Sequence, residues 1–416
     1  MQNKTLSKVD LIRNELDLEY KQSIILKYTL LLGLREKIPP SIRNRVGFSF
    51  EKLKNPKRDF PIDRKVQTLE YEAMKKNVSE KKYHLMIKPW TTFSACFTHD
   101  VDTLYDLKEG ISILRKIEKK HDIKSTWNFV PESKEYKIDK ELLKSLERDG
   151  HEIASHSLKH DGKFAFLSKH ERRLRVRKSK EIFKKMGFNI NGFRAPWLHR
   201  TRDLILFLEE NKYLWDSSFP DTDNTTIGYR GTGCSTVFPF QPLIKENKGY
   251  RKSSIIELPI TVPQDWSLIH PMKLSNEKIL SLWIEKVDYI EDVGGLALFL
   301  THPAKYDIGN NERSWIYDDI IKYIKNKKPF IGRCIDVAER WKATNDIQYN
   351  LDIKKMNLHM KSERRIKNLA FYIFSPKNEK LKSNDCELLK SDIFFNKKRS
   401  LFLVKSLDRE MNMHFH

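Results

Sequence analysis

From residue 92 onward, the sequence alternates short apolar runs with longer amphipathic segments, and this alternation constrains the fold more than any other feature. Such alternation is typical of parallel strands joined by crossover helices. The predicted strands cover residues 93–98, 125–130, 151–155, 191–194, 213–217, 255–259, 296–301 and 329–332. The helical patterns cover Leu104–Lys120, Asp139–Arg148, Lys169–Met186, Arg202–Asn211, Asn276–Glu291 and Trp315–Lys325. About seven or eight such units in some 250 residues predict a β/α barrel.

The two ends of the chain lack this alternation. Residues 1–90 combine a helical pattern over Lys8–Leu34 with a connector rich in Pro, Arg and Lys. Near the C-terminus, two β-like runs, Leu369–Phe374 and Leu401–Val404, are not separated by a helical pattern. We therefore predict a partly helical N-terminal extension at 1–90, a barrel at 91–344 and a small β-rich C-terminal region at 345–416.

The composition excludes several classes of protein. Hydrophobic residues make up 39% and charged residues 32% of the 416 residues, as in globular proteins. The four cysteines lie far apart, which argues against a disulfide scaffold and a thiolate zinc site. No apolar stretch reaches the roughly 18 to 20 residues needed to span a bilayer, and the N-terminus lacks the apolar core of a secretory signal. We expect a cytoplasmic protein with, as an option, peripheral membrane contact.

The net charge of +22 has two interpretations. It would attract phosphates, acidic glycans or anionic lipid head groups, but it also fits an ordinary basic, solvated surface. The basic residues are dispersed and no nucleic-acid-binding motif accompanies them, so we expect no specific nucleic-acid partner.

The first predicted strand ends in two carboxylates, Asp100 and Asp102. Alternation along an extended chain points both side chains the same way, so they can share one site. In a β/α barrel, active sites lie at the carboxyl ends of the strands. Both residues could instead cap a helix that begins near Thr103, and this motif alone leaves the choice open.

The third predicted strand ends just before a pair of histidines, His156 and His160. Histidines four positions apart on a helical turn can reach one ion, although two surface histidines would give the same pattern. Together with an Asp from the first strand, they would form an open three-ligand site typical of hydrolytic zinc centres. The same ligands also match the iron(II) triad of oxygenases. We expect one divalent metal ion, with zinc as the first candidate.

Three further strand ends carry polar side chains. Arg194 follows the fourth strand and can hold a carboxylate bidentately, while the nearby Trp197 suits a pocket wall or the core. Asp216 lies in the fifth strand, and His302 follows the seventh. Polar groups at five strand ends in register are hard to explain by packing alone. The interval 220–254 interrupts the alternation, and we expect it to form a wall of the pocket.

Five motifs, in order along the chain, resemble those of the polysaccharide deacetylases, carbohydrate esterase family 4 with the NodB homology domain. They are Thr98-His99-Asp100-Val101-Asp102, His156-Ser157-Leu158-Lys159-His160, Arg194-Ala195-Pro196-Trp197, Asp216 and Leu300-Thr301-His302. The resemblance covers roughly residues 92–341. It implies a distorted (β/α)7-type barrel, NodB-like, and metal-dependent removal of N- or O-acetyl groups from sugars.

By this resemblance, each matched motif supplies part of the site. The implied roles are metal ligand for Asp102, His156 and His160, general base for Asp100, orientation of that base for Arg194, general acid for His302 and tuning of that acid for Asp216. The candidate substrate-binding residues are Trp197, Trp215, Phe238 and Tyr229. Aromatic side chains such as these belong to a core as readily as to a sugar pocket.

Two features depart from the family pattern. Val101 separates Asp100 from Asp102, whereas the usual first motif has adjacent Asp residues, so which one is base and which is ligand stays open. The usual aromatic residue before the base is here His99, and the sequence assigns it no role.

We therefore expect a metal-dependent hydrolase of non-peptide carbon–nitrogen bonds. Its expected substrate is an N-acetylated sugar, an oligo- or polysaccharide, or a lipid- or nucleotide-linked glycan precursor. An anionic membrane or a phosphate-bearing carrier is the expected peripheral partner. The alternatives are a hydrolase of a cyclic imide or ureide on the same fold and a catalytically inactive glycan-binding protein.

Overall fold

The computed structural model describes residues 64–221, 233–270 and 272–416, with a few helical residues nearer the N-terminus. The helix predicted over Lys8–Leu34 lies largely outside the described residues, and Tyr229 lies outside them entirely. In the part of the chain that is described, no helix combines the length and the apolar character needed to cross a membrane.

The strands and helices follow the predicted alternation closely in the middle of the chain. In chain order the strands are β1 (His84–Lys88), β2 (Ser94–Val101), β3 (Thr126–Phe129), β4 (Glu152–Ser155), β5 (Gly192–Phe193), β6 (Trp215–Asp216), β7 (Leu243–Glu246), β8 (Gly249–Lys252), β9 (Ile256–Glu257), β10 (Leu296–Thr301), β11 (Phe330–Ile331), β12 (Gln348–Asp352), β13 (Asn357–Lys361), β14 (Ile366–Pro376), β15 (Glu387–Phe394), β16 (Lys397–Leu407) and β17 (Glu410–His414). The helices are α1 (Arg64–Glu80), α2 (Ile111–His121), α3 (Lys140–Arg148), α4 (Lys169–Lys185), α5 (Leu204–Glu210), α6 (Asp265–Ile269), α7 (Asn276–Val293), α8 (Ser314–Asn326) and α9 (Cys334–Asn345).

A curled sheet of parallel strands forms the barrel. Its spatial order is β10-β2-β3-β4-β5-β6-β9, and β11 pairs with the beginning of β2. Beyond β9, a parallel bridge joins Val262 to Phe299 of β10, which brings the two edges of the sheet together. Every residue of β2 is buried, as expected of a parallel strand covered on both faces. The predicted distorted β/α barrel is confirmed.

The barrel interior is packed so tightly in one place that only glycine fits. A Cβ added at Gly192 of β5 would lie 1.8 Å from the ring of Trp215 on the neighbouring β6. The Trp215 ring therefore fills the interior across β5 and belongs to the core, together with Ile256, Leu258 and Leu298. Gly192 lies two residues before Arg194, so this close packing fixes the strand just before the turn that carries Arg194.

The end of the barrel at which the strands begin, here called the amino end, is covered by α9. The N–H groups of Cys334 and Ile335 donate to Thr126 Oγ1 at 2.9 Å and to Glu152 Oε2 at 3.0 Å, respectively. On its other side α9 contacts β1 and β14. The sequence analysis missed this helix.

The C-terminal region is β-rich, as predicted, but more extensive than the two predicted runs. An antiparallel sheet in the order β1-β14-β16-β15 faces a smaller one in the order β12-β13-β17. Phe371 and Phe402 of the first sheet pack with Leu358 and Met413 of the second. The edge strand β1 comes from before residue 90, so this sheet joins both flanks of the barrel. The domain boundaries at 90 and 344 stay a prediction.

Candidate active site

The two carboxylates of the first motif lie at the carboxyl end of β2. Asp100 is 3% exposed, and Asp102 is half-buried. The backbone N–H groups of Asp102 and Thr103 donate to Asp106 Oδ2 at 2.8 and 3.0 Å. Because Asp106 caps this turn, the capping interpretation of Asp100 and Asp102 is disfavoured, and their carboxylates remain available to the site.

Asp102, His156 and His160 come together as one cluster. Their candidate ligand atoms all lie within 4.8 Å of one another. Asp102 is 3.5 Å from His156 Nε2 through Oδ1 and 3.3 Å from His160 Nε2 through Oδ2. The segment between the histidines is not the helical turn that we predicted, since Ser157 has a φ of 60°. The turn nevertheless brings the two rings to 5.3 Å between centroids.

The cluster fits a divalent metal ion on two observations. Asp102 Oδ1 is buried and has no hydrogen-bond partner among the described residues, a costly state for a carboxylate oxygen unless a cation compensates. Nδ1 of His156 lies 3.0 Å from the carbonyl of Arg194, which can accept its proton and so leave Nε2 to face the cluster. Two imidazole nitrogens and one carboxylate suit zinc. Burial raises the pKa of Asp102 to about 7, and a bound cation would counteract this shift.

Asp100 is held by a buried arginine. Arg194 is fully buried and donates through Nη1 to Asp100 Oδ1 at 2.9 Å. Its other nitrogens donate to the carbonyl and the hydroxyl of Ser217, at 2.9 and 2.8 Å. Burial alone would raise the pKa of Asp100, but the charges of Arg194 and His156 hold it well below its usual value. Asp100 is therefore an ionised carboxylate with a fixed orientation.

The turn after Arg194 places the Trp197 ring beside the cluster. Trp197 and Leu198 have φ angles of 57° and 54°, a left-handed conformation that costs about 1 to 3 kcal/mol at each non-glycine residue. The ring lies so close to Gly162 that a Cβ there would meet it at 2.7 Å. It also makes an edge contact with His160, at 6.3 Å between centroids. This strained turn therefore places the indole between Gly162 and His160.

His302 is paired with Asp265, and not with Asp216 as we expected. His302 Nδ1 lies 2.7 Å from Asp265 Oδ1, while its backbone N–H donates to Oδ2 at 2.7 Å. Burial alone would lower the pKa of His302, but Asp265 and Asp102 raise it well above its ordinary value. The pairing with Asp265 therefore favours the protonated imidazole, which is the form that can donate a proton. Asp265 follows β9, and the bridge from Val262 to β10 brings it to His302.

Asp216 is a buried group with other partners. It accepts a hydrogen bond from Ser218 Oγ at 2.7 Å, and the same hydroxyl accepts from the N–H of Ala195 at 2.9 Å. Burial raises the pKa of Asp216 to about 6, although Ser218 and Glu257 counteract this. Its position therefore supports the turn that follows Arg194.

Two of the predicted pocket aromatics lie away from the cluster. Trp215 donates through Nε1 to Glu152 at 2.9 Å, near the amino end of the barrel. Phe238 follows Val237, whose carbonyl accepts the N–H of Leu296 at the amino end of β10. Of the interval 220–254, the residues 222–232 lie outside the described part, and so its role as a pocket wall stays a prediction.

The sequence analysis missed two polar contacts of the site. Asn128, in the middle of β3, donates to Asp100 Oδ1 at 2.8 Å. Its place between the apolar residues Trp127 and Phe129 was the available signal for it. Asp265 is the first acidic residue after the sixth predicted strand, but only the closure of the barrel shows which side chain it meets.

Comparison with known proteins agrees with the resemblance of the motifs. Residues 101–214 match the family model described as polysaccharide deacetylase. No curated protein matches the chain.

Solved structures with a similar fold include proteins described as a polysaccharide deacetylase, an allantoinase and a chitin deacetylase. A Mycobacterium smegmatis protein, provisionally described as a polysaccharide deacetylase, is 20% identical with a TM-score of 0.49, over 61% of this chain and 92% of that one. The allantoinase Puue is 14% identical with a TM-score of 0.48, and the match covers 61% of this chain and 91% of the allantoinase chain. The chitin deacetylase of the fungal pathogen Colletotrichum lindemuthianum is 14% identical with a TM-score of 0.41, over 59% and 88%.

Proposed function

We propose that the protein is a metal-dependent deacetylase of N-acetylated sugars, on the premise that residues 101–214 carry a domain of the polysaccharide deacetylase family, whose members hydrolyse carbon–nitrogen bonds. Its substrate would be a free or polymeric sugar, or a lipid- or nucleotide-linked glycan precursor. The observation that carries the proposal is the cluster of Asp102, His156 and His160 with its unpartnered carboxylate oxygen.

We propose these three residues as the metal ligands, with zinc as the first candidate. A divalent ion held there would supply a Lewis acid that polarises the acetyl carbonyl and acidifies water. The pairing of Asp100 with Arg194 supports Asp102, rather than Asp100, as the carboxylate ligand, because the guanidinium already satisfies Asp100 Oδ1. With Asp102 as the ligand, Asp100 becomes the proposed general base.

The proton transfers would use one general base and one general acid. Asp100 is ionised and would accept the proton of the attacking water. His302, kept protonated by Asp265, would donate a proton to the departing nitrogen, which an amine leaving group requires. An acid and a base whose environments drive their pKa values apart are a common arrangement in hydrolases. Asp265 takes the role of tuning His302 that we had expected of Asp216.

Trp197 is the aromatic side chain that we propose for the wall of the substrate pocket. Its ring borders His160, where an acetyl methyl group or a sugar face would gain apolar contact. An acetylated carbohydrate is thus the proposed partner, and contact with an anionic membrane or a phosphate-bearing carrier is kept as a proposal from the net charge of +22. The division into residues 1–90, 91–344 and 345–416 is likewise proposed.

The test combines metal analysis with a substrate panel. Protein purified without added metal would be analysed for metal content, and then assayed on N-acetylated oligosaccharides, O-acetylated sugars, nucleotide- and lipid-linked N-acetylated sugars and a cyclic ureide. We expect about one divalent ion per chain and release of acetate from at least one N-acetylated sugar. Hydrolysis of the ureide alone would favour the alternative hydrolase. Metal-free, inactive protein that binds glycans would favour the non-catalytic alternative.

A further inference from the structure

The residue before the proposed base points into a second polar cluster on the other face of β2. His99 is fully buried, and its ring lies on Trp127, with 4.1 Å between centroids. Both ring nitrogens have partners. Nδ1 is 2.8 Å from Thr301 Oγ1, and Nε2 is 2.9 Å from Glu118 Oε1. The position that is aromatic in the family pattern thus forms two hydrogen bonds here.

This cluster connects two helices with two strands of the barrel. Glu118 lies on α2, and Tyr317 of α8 donates to the same oxygen, Glu118 Oε1, at 2.9 Å. Burial alone would raise the pKa of Glu118, but His99 and His151 hold it below its usual value. The carboxylate is therefore ionised in the core and anchors the imidazole of His99, while Tyr317 supplies a second donor.

The hydrogen bond between His99 and Thr301 lies at the end of the pairing between β2 and β10. These two residues form the last register pair of the two strands. Each is followed in sequence by a proposed catalytic group, Asp100 after His99 and His302 after Thr301. The side-chain bond therefore joins the two strand ends one residue before the base and the acid.

We propose that His99 is a positioning residue, which holds the ends of β2 and β10 together so that Asp100 and His302 keep the separation required for proton transfer. This inference rests on the proposed function. Its physical basis is the steep dependence of catalysis on geometry, since a misplacement of about 1 Å can cost about 10²-fold in rate. His99 touches neither Asp100 nor His302 with its side chain and acts only through the backbone of its own strand and through Thr301.

Thr301→Val is the sharpest test, because valine keeps the shape of threonine and removes only the hydroxyl, which lies 2.8 Å from His99 Nδ1 and, more distantly, 3.4 Å from the carbonyl of Thr98. The contacts of His99 with Glu118 remain. The matched control is Tyr317→Phe, which removes the hydroxyl that contacts Glu118 Oε1 at 2.9 Å and His99 Nε2 at 3.3 Å in the same buried cluster and leaves the bond between the strand ends intact. Thr301→Ser restores the hydroxyl. For each variant, kcat and KM on the best substrate of the wild-type protein, metal content and melting temperature would be measured.

If His99 positions the two strand ends, Thr301→Val lowers kcat by about 10- to 100-fold with KM changed by less than about twofold and metal content unchanged. Tyr317→Phe would lower the melting temperature but leave kcat within about twofold of wild type, and Thr301→Ser would recover most of kcat. A Thr301→Val variant that keeps the wild-type kcat, or a Tyr317→Phe variant with the same loss of kcat, would overturn the positioning role while the proposed function stands. A wild-type protein without activity on any N-acetylated sugar would instead overturn the proposed function, and the positioning role with it.

Discussion

Strand β4 begins at Glu152 and is followed, past its other end, by His156, so it connects buried polar clusters at opposite ends of the barrel. At the amino end, both oxygens of Glu152 have donors. Oε1 accepts from Trp215 Nε1 at 2.9 Å, and Oε2 accepts from Thr126 Oγ1 at 2.8 Å and from the N–H of Ile335 at 3.0 Å. At the carboxyl end, one oxygen of Asp102 has no hydrogen-bond partner among the described residues.

The difference lies in what surrounds each carboxylate. The amino end is covered by α9, whose first N–H groups donate to Thr126 and to Glu152. At the carboxyl end, the side chains of Asp102 and His160 keep 17% and 22% of their exposure. A saturated buried cluster contributes to the stability of the fold, whereas an unsaturated cluster open to solvent can bind a ligand. Substitutions should therefore separate stability from activity according to the end that they change.

The largest expected effect is the loss of a metal ligand at the carboxyl end. His156→Ala should abolish metal binding and lower kcat/KM by about 10³-fold or more, because several kcal/mol of transition-state stabilisation depend on the ion. The melting temperature should change little, since a catalytic ion on a large barrel is seldom required for folding. Metal content, kinetics and thermal unfolding would be measured, with His170→Ala, an exposed histidine on α4, as the control. If His156→Ala retains the metal, the cluster at the carboxyl end is not the metal site.

The second prediction distinguishes the two carboxylates at that end. Asp100→Asn should retain the metal and lose about 10²- to 10⁴-fold in kcat, since the amide can neither accept a proton nor pair with Arg194. Asp102→Asn should lose the metal. Metal content of the two variants decides between the assignments, because the reverse pattern would make Asp100 the ligand and Asp102 the base.

The third prediction concerns the acid. His302→Gln should lower kcat by about 10²- to 10⁴-fold on an N-acetylated sugar and by less on an O-acetylated sugar, since an alcohol is a better leaving group than an amine. Asp265→Asn should reproduce a part of this loss, because the carboxylate raises the pKa of His302. Equal losses on the two substrates would mean that His302 has no role as a proton donor.

The sequence could predict the parts of the molecule that depend on local pattern. The alternation located strands such as 93–98 and 151–155, observed as Ser94–Val101 and Glu152–Ser155, and the motifs located the cluster residues at the strand ends. Contacts between residues that are distant in sequence could not be predicted in this way. Asp265 reaches His302 only because the barrel closes between Val262 and Phe299, and β1 joins a sheet whose other strands follow about 280 residues later. Local sequence contains little information about either contact.

The smallest expected effect belongs to the amino end, where Glu152→Gln should change stability and leave kcat alone. The amide would turn a donor towards Trp215 Nε1 or the N–H of Ile335, which should cost about 1 to 3 kcal/mol of the free energy of unfolding. Urea unfolding and kinetics would be compared with those of Glu339→Gln, a change at an exposed carboxylate on α9. A loss of kcat without a loss of stability would contradict the separation of the two ends.

The pH dependence of this variant sharpens the same prediction. Burial raises the pKa of Glu152 from 4.5 to about 7, so between these values the folded protein holds a proton that the unfolded chain has released. The contribution of Glu152 to the free energy of unfolding is therefore complete below about pH 4.5 and is lost as the pH rises to about 7, by up to about 3 kcal/mol. Glutamine cannot ionise, and so the stability advantage of the wild type over Glu152→Gln should shrink between about pH 4.5 and 7. If the difference in free energy of unfolding between the wild type and Glu152→Gln instead grows over this range, Glu152 is ionised in the folded protein. The donors from α9 and Trp215 would then stabilise its carboxylate, as Arg194 stabilises that of Asp100.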